Sequence, residues 1–241
     1  MTTTRARSFD AAASRYHASR PGYPDALFDA VEELAGRSLR GARVADAGAG
    51  TGIASALLHA RGARVVAVEP GDGMAAEFRR AHPAIPVVRG DGNALPLASG
   101  SLDLLTYAQA WHWTDPERSV PEARRVLRPG GALAVWWNDM DVRVPWIAEQ
   151  DRRLREFFGV AGLPVRVSPE GLDHVTREVR WSRRIPLEAH LANHATHSAF
   201  LVLGETRTRE FIDAERARLL ELFPDGAVEE AYTVTLRVAF P

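Results

Sequence analysis

The sequence contains no cysteine and no lysine. Without cysteine there can be no disulfide framework, no thiolate nucleophile, no cysteine-ligated zinc site and no iron–sulfur cluster. Because lysine is absent, the 30 basic side chains other than histidine are all arginine. This excludes a lysine that forms a Schiff base with a substrate, and it excludes the phosphate-binding lysine of a P-loop.

A strong net charge and a long apolar run are also missing. The formal net charge is -1, so no field of one sign attracts nucleic acid or an acidic membrane. No run of about eighteen apolar residues indicates a membrane helix, and the basic start at residues 1–7 is not followed by an apolar segment. We therefore expect a soluble, cytoplasmic protein whose partner is a small molecule, with no nucleic acid or membrane partner. The oligomeric state is left open.

Short apolar segments alternate with helical segments in the first 140 residues. Strands are predicted at 43–47, 64–68, 87–89, 102–107 and 132–137, and helices at 25–35, 53–60, 74–81 and 119–127. This alternation is typical of βαβ units and a parallel sheet. Farther along, helices are predicted at 146–158, 187–203 and 208–223, and strands at 178–186 and 232–240, the last of them a possible edge strand.

Glycine occupies every second position from Gly48 to Gly52, between the first predicted strand and its helix. Such spacing lets the backbone itself approach a ligand, at the strand-to-helix turn where α/β sheets have their binding crevice. The dinucleotide fingerprint G-x-G-x-x-G would need glycine at position 53, where Ile53 stands. The spacing therefore disfavours an NAD-dependent oxidoreductase, which remains an alternative.

Polar residues follow the next three predicted strands. Glu69 comes after the second strand, where an acidic residue typically accepts hydrogen bonds from ribose hydroxyls. Asp91 and Asn93 follow the third strand, and Gln109 follows the fourth. Ligand-type residues after successive strands are a much stronger signal than the glycine turn alone.

Together these segments resemble class I S-adenosylmethionine-dependent methyltransferases of the small-molecule group called type 11. The resemblance is carried by residues 44–52, 69–70, 90–97, 101–106 and 126–131. Phe9, Tyr16 and residues 20–24 and 110–113 resemble the branch that includes trans-aconitate-type carboxyl methyltransferases. The family has larger residues where Ala45 and Ala49 stand, and alanine keeps the turn tight.

The resemblance implies a Rossmann-like, seven-stranded, mostly parallel α/β sheet with helices on both faces. It implies an N-terminal helical lid at 1–40, a cofactor-binding core at 41–140, and a variable substrate cap with final strands at 141–241, all in one domain. The implied cofactor is S-adenosyl-L-methionine, with S-adenosyl-L-homocysteine as product and no metal. The implied cofactor-binding residues are Tyr16, Arg20, Asp46, Gly48, Gly50, Glu69, Asp91, Gly92, Asn93, Ala94 and Gln109.

Roles for individual residues follow from that resemblance. Asp46 would orient the glycine turn or meet the amino group of the cofactor, and it could also serve only as a helix cap. His112 is the candidate for a catalytic base, because imidazole titrates near neutral pH, although a structural or substrate-positioning role is favoured. Trp111, Trp113 and His194 are candidates for substrate binding, whereas Trp136 and Trp137 are expected in the core.

His190, His194 and His197 share one face of the predicted helix 187–203, at a spacing that metal ligands can also have. A solvated face or a polar wall of the substrate pocket is favoured over zinc. The arginine pairs at 79–80, 124–125, 152–153 and 183–184 are likewise expected on solvated faces.

The expected reaction is methyl transfer to a small molecule, most readily to an oxygen of a carboxylate or hydroxyl. A sulfonium methyl is already activated, so orientation and exclusion of water are the main contributions of the protein. A carboxylate needs no base, whereas a phenol, an alcohol or an amine benefits from one. Methylation of carbon or nitrogen is the alternative within the fold.

Overall fold

The structure is a computed structural model that describes residues 20–159, 171–195, 200 and 204–241. Its helices are α1 Asp25–Ala35, α2 Ile53–Ala60, α3 Asp72–Ala81, α4 Pro116–Val126, α5 Pro145–Phe158, α6 Leu187–Ala195 and α7 Glu205–Leu222. Its strands are β1 Arg43–Ala47, β2 Arg64–Glu69, β3 Val87–Arg89, β4 Leu102–Ala108, β5 Leu127–Met140, β6 His174–Pro186 and β7 Ala227–Ala239. The sequence predicted each strand, with bounds that differ mainly in the longer β5, β6 and β7.

The strands form one sheet in the order β3-β2-β1-β4-β5-β7-β6. The first five strands in this order, from β3 to β5, are parallel to one another, and β7 pairs antiparallel with both β5 and β6. This confirms the seven-stranded, mostly parallel α/β sheet. The prediction that the last strand could be an edge strand is wrong, because β6 pairs antiparallel with β7 along its whole length and takes the edge itself.

Helices cover both faces of the sheet. On one face α1 and α2 pack against residues such as Val44, Leu104 and Trp136, and on the other face α4 packs against Ala45 and Leu105. The amphipathic helix α1 ends at a glycine with left-handed φ, as its sequence predicted. The proposed lid at 1–40 therefore includes a helix that belongs to the layers of the sheet, and residues 1–19 lie outside the described residues.

The carboxyl ends of the parallel strands meet at one edge of the sheet, which we call the carboxyl edge. The loops at 48–52, 70–71, 90–93 and 109–113 follow β1 to β4 and therefore lie along this edge. The antiparallel pair β6 and β7 extends beyond the same edge and supports α6 through contacts from both strands. Within the described ranges, no helix has both the length and the apolar composition needed to cross a bilayer.

Candidate cofactor and acceptor site

The glycine turn after β1 is held in a conformation that side chains rarely allow. Gly48, Gly50 and Gly52 have φ values of 67°, 58° and 93°. A Cβ on Gly48 would lie 2.5 Å from the Cβ of Ala110, whereas a Cβ on Gly50 would meet nothing within 4 Å. The turn is therefore packed against the loop after β4 on one side and opens onto free space at Gly50.

Glu69 ties this turn to the turn after β2. Its carboxylate accepts hydrogen bonds from the backbone N–H of Gly50 at 2.8 Å and from that of Gly71 at 2.7 Å. Glu69 is buried, and it lies next to the open space at Gly50. A carboxylate has about four acceptor positions, so its chemistry suits hydrogen bonds from ligand hydroxyls as well as from backbone N–H groups.

Asp46 lies beneath the turn and is completely buried. Its two carboxylate oxygens accept hydrogen bonds from the hydroxyls of Ser55 (2.6 Å) and Thr106 (3.0 Å). Burial raises the pKa of Asp46 to about 6, although these hydroxyls act in the opposite direction. The carboxylate thus joins β1, α2 and β4, and a hydrogen bond from the backbone of Ser55 ties it to the first turn of α2.

The loop after β3 is folded around Asp91. One carboxylate oxygen of Asp91 accepts hydrogen bonds from the backbone and the side-chain amide of Asn93, both at 2.9 Å. The carbonyl oxygen of Gly92 accepts from the hydroxyl of Tyr107 at 2.9 Å, and Asn93 accepts from the backbone N–H of Asp115. Asp91 itself is exposed and Ala94 is bridged to it, so the loop presents a carboxylate at the carboxyl edge.

Gln109 directly follows the last residue of β4, Ala108. It has a φ of 56°, the one positive φ outside glycine among the described residues, and such backbone strain often marks functional sites. Its backbone N–H donates to the carbonyl of Trp136 at 2.8 Å, and its amide donates to the hydroxyl of Tyr23 at 3.4 Å. Tyr23 in turn packs edge-on against Trp136, with ring centroids 5.8 Å apart. Gln109 therefore connects the N-terminal segment with the ends of β4 and β5.

His112 lies in the short 3-10 turn that follows Gln109. Its Nδ1 is buried and has no hydrogen-bond partner among the described residues, and its ring contacts Trp113 with centroids 4.6 Å apart. Burial lowers the pKa of His112 to about 4, so the imidazole is neutral at pH 7. Trp113 is half-buried, whereas Trp111 is fully buried and packs edge-on against Tyr107.

The helix α6 holds His190 and His194 in the interior, whereas the sequence predicts a solvated face or a pocket wall. Both are buried because α6 packs against β6, β7 and α7. The expectation of a solvated face is therefore wrong for these two residues, and His197 lies outside the described residues. Burial lowers the pKa of His194 to about 3, with the charges of His190 and Arg20 adding to the effect.

Hydrogen-bond partners occupy both ring nitrogens of His190. Its Nδ1 faces the carboxylate of Glu230 at 2.7 Å, and its Nε2 faces the amide oxygen of Gln150 at 3.1 Å. The amide nitrogen of Gln150 donates to Glu215, which fixes its oxygen toward His190. Neither nitrogen is left for a metal, and the described residues contain no cluster suited to one.

Two of the expected surface arginines also take part in this interior network. Arg153 donates to the buried carboxylate of Glu215, and Arg183 donates to the buried carboxylate of Glu230. Burial acts to raise the pKa of Glu230, but hydrogen bonds from His190 and Tyr232 outweigh it and lower that pKa. The expectation of solvated faces is wrong for Arg153 and Arg183, because each neutralises a carboxylate that the cap buries.

Sequence reasoning missed Asn138 and Trp181, which meet across the sheet. The indole N–H of Trp181 donates to the side-chain oxygen of Asn138 at 3.0 Å. A signal was present, since Asn138 is a polar residue directly after the apolar run of β5. The sequence could not show that β6 would bring Trp181 to it. Trp136 and Trp137 are buried as expected, Arg20 is half-buried, and Tyr16 lies outside the described residues.

Comparisons with known proteins agree with this arrangement. Residues 45–135 match the family described as the methyltransferase domain. An uncharacterised methyltransferase of Mycobacterium tuberculosis is 40% identical over 186 residues, which cover 76% of this chain and 73% of that protein. A malonyl-[acyl-carrier protein] O-methyltransferase of Enterobacter lignolyticus is 43% identical over 96 residues, which cover 39% of this chain and 38% of that protein.

A solved structure from Anaeromyxobacter dehalogenans, described as a proposed type II methyltransferase, superimposes with a TM-score of 0.72 at 28% identity. The superposition covers 91% of this chain and 97% of that one. The fold, the glycine turn without the dinucleotide spacing, and these matches remove the alternative of an NAD-dependent oxidoreductase. The chain belongs to the class I S-adenosylmethionine-dependent methyltransferases, which are enzymes that use S-adenosyl-L-methionine as their cofactor.

Proposed function

We propose that this enzyme transfers the methyl group of S-adenosyl-L-methionine to a carboxylate oxygen of a small-molecule acceptor. The observation that carries the acceptor class is the state of His112, which is half-buried, has a lowered pKa and lacks an orienting partner at its buried Nδ1 among the described residues. An acceptor that needs no base fits this site best.

The glycine turn and Glu69 would bind the methionine and ribose portions of the cofactor. The open space at Gly50 accommodates a ligand against bare backbone, and a side chain there would fill it. The carboxylate of Glu69, which is fixed by the backbone of Gly50 and Gly71, would accept hydrogen bonds from the two ribose hydroxyls. Gly48 would contribute by its close packing on Ala110. These residues therefore fit an adenosyl group.

The loop after β3 would bind the adenine. Asp91 is exposed and has acceptor capacity beyond its bonds to Asn93, so it could accept from the amino group of the base. Gly92 and Ala94 would contact the ring through backbone and small side chains. Asn93 would act chiefly by holding the loop.

Arg20, Tyr16 and Gln109 would complete the cofactor site. A guanidinium can bind the carboxylate of the methionine portion with two parallel hydrogen bonds, which is the role we propose for Arg20. Gln109 would lie beneath the sulfonium through its strained backbone. Asp46 would orient the turn rather than contact the cofactor, because it is fully buried and both its oxygens already accept from hydroxyls.

When bound, the cofactor supplies a sulfonium methyl that is activated toward in-line displacement, with S-adenosyl-L-homocysteine as the leaving group. The protein would orient the acceptor oxygen behind that methyl and exclude water, effects that are worth up to about 7–11 kcal/mol in favourable cases. An ionised carboxylate has no proton to lose. A phenol or alcohol would need a base, and a histidine with a pKa of about 4 is poorly matched to that task near neutral pH.

His112 and Trp113 would then position the acceptor, with the neutral imidazole offering one hydrogen bond. We assign Trp111 a supporting role behind them, because it is fully buried. His194 would lie on the cap side, near Arg20. The cap at 141–241 would supply the variable wall of the acceptor pocket, consistent with the proposed division of the chain.

The test is an acceptor panel of matched carboxylic acids, alcohols and amines that share a carbon skeleton, with S-adenosyl-L-homocysteine formation as readout. We expect turnover with carboxylic acids only, at a rate that is flat from pH 6.5 to 8.5 because neither acceptor nor protein has a proton to lose there. Turnover with alcohols or amines alone would refute the acceptor class. Calorimetric binding of S-adenosyl-L-homocysteine provides the control for cofactor binding.

A further inference from the structure

Asn138 lies at the carboxyl edge, beside the point where β4 ends. The last β4 residue to pair with β5 is Ala108, which is opposite Trp136. Asn138 is two residues farther along β5, so its side chain is on the same face as Trp136. The carbonyl of Trp136 accepts from the backbone N–H of Gln109, the residue proposed to lie beneath the sulfonium. Asn138 is therefore next to the place where the acceptor would be methylated.

The orientation of the Asn138 amide is defined by its partner. An indole N–H can only donate, so the atom of Asn138 that lies 3.0 Å from Nε1 of Trp181 is the oxygen. The amide nitrogen, Nδ2, must then point elsewhere. It is buried without a hydrogen-bond partner among the described residues, and Asn138 as a whole is only 8% exposed. A buried donor without an acceptor is unfavourable, and such groups call for an explanation.

The cap holds this arrangement in place. Trp181 stacks on Tyr232 with ring centroids 4.9 Å apart and an interplanar angle of 18°. The hydroxyl of Tyr232 donates to Glu230 at 2.7 Å, and Glu230 lies 2.7 Å from Nδ1 of His190. A continuous set of contacts thus runs from α6 to the amide of Asn138. The amide cannot turn over without breaking its bond to Trp181.

We propose that Nδ2 of Asn138 donates a hydrogen bond to the non-reacting oxygen of the acceptor carboxylate. This inference rests on the proposed function and adds a residue that selects the acceptor. A carboxylate has two oxygens on one carbon, so one can be held by Asn138 while the other attacks the methyl group. The attacking oxygen forms the new C–O bond as the S–C bond breaks, and the acceptor becomes a neutral ester. Acceptors with a single oxygen or nitrogen lack the second contact.

The test compares Asn138→Ala, Asn138→Ser and Trp181→Phe with the unchanged enzyme on the best acceptor of the panel. We expect Asn138→Ala to lower kcat/KM by about tenfold or more, the usual range for a hydrogen bond to a charged group. The affinity for S-adenosyl-L-homocysteine should stay within twofold. Trp181→Phe removes the bond that orients the amide and should give a smaller loss of the same kind. Arg177→Ala is the matched control, because Arg177 lies on β6, the strand of Trp181, and pairs with Glu33 at the surface.

Retention of kcat/KM within twofold in Asn138→Ala would overturn the proposal, as would a parallel loss of cofactor affinity at an unchanged melting temperature. If Asn138→Ala does not fold, the same comparison is made with Asn138→Ser, which keeps a small polar side chain. The acceptor class is judged separately on the unchanged enzyme. If that enzyme methylates only an alcohol or an amine, the proposed function fails. The variant ratio on that acceptor then decides whether Asn138 positions it at all.

Discussion

The substitution Asp46→Asn should make the protein more stable at neutral pH, although it alters the first ligand-binding motif. Asp46 is fully buried, and burial raises its pKa from an ordinary 3.8 to about 6. The difference of about 2 pKa units corresponds to about 3 kcal/mol, at 1.36 kcal/mol per unit. At pH 7.5 the carboxylate is ionised in both states, so the folded protein carries this cost in full. Asparagine has a similar shape and no charge, and it avoids the cost.

The pH dependence gives the prediction its sign. For an acid whose folded pKa is raised, the folded state binds the proton more tightly than the unfolded state. As the pH falls from about 6 toward 3.8, the unchanged protein therefore gains stability relative to Asp46→Asn. We expect the free energy of unfolding of Asp46→Asn to exceed that of the unchanged protein by as much as about 3 kcal/mol at pH 7.5. The two free energies of unfolding should become equal near pH 4.

Urea unfolding of both proteins at pH 7.5, 6.5, 5.5 and 4.5 measures this difference directly, because all other titrations cancel in the comparison. The reasoning would be refuted if the difference between the two free energies of unfolding did not change with pH. It would also be refuted if the unchanged protein were more stable than Asp46→Asn at pH 7.5. Thr106→Val is an internal control. It removes a hydroxyl that opposes the shift, so it should destabilise the protein more at pH 7.5 than at pH 4.5. Affinity of Asp46→Asn for S-adenosyl-L-homocysteine should stay within a few-fold, and a large loss would place the carboxylate on the cofactor.

Four further substitutions test the site. Glu69→Ala should weaken S-adenosyl-L-homocysteine binding at least several-fold by calorimetry, and unchanged affinity would remove Glu69 from the cofactor site. Gly48→Ala should lower the melting temperature more than Gly50→Ala does. Both positions have positive φ, but only a Cβ at position 48 clashes, at 2.5 Å from the Cβ of Ala110. Equal decreases in melting temperature would contradict this packing. Gly50→Ala should instead weaken cofactor binding by filling the open space. His112→Ala should lower turnover more than cofactor affinity without shifting the pH–rate profile, and a shifted profile would identify His112 as a base after all.

The first half of the fold follows from local sequence pattern. Short apolar segments separated by helical ones predict parallel βαβ units, and glycine at alternate positions predicts the turn after β1. The loops at the carboxyl edge meet because parallel strands end on one side, so Glu69, Asp91 and Gln109 could be placed together before any coordinates. The second half was less predictable. The position of β7 inside the sheet depends on its pairing with both β5 and β6. Such long-range pairing cannot be recognised from the residue pattern of any one of these strands.

The sequence by itself determined the cofactor-binding half of this protein, because backbone conformation and strand order place those residues with little help from distant side chains. Tertiary structure alone decided the acceptor half. Only folding shows that partial burial makes His112 weakly basic, that Nδ1 of His190 lies against the carboxylate of Glu230, and that Trp181 fixes the amide of Asn138. The physical reason is that desolvation and hydrogen-bond partnership depend on what surrounds a group in space, and residues 40 or more positions apart supply those surroundings here.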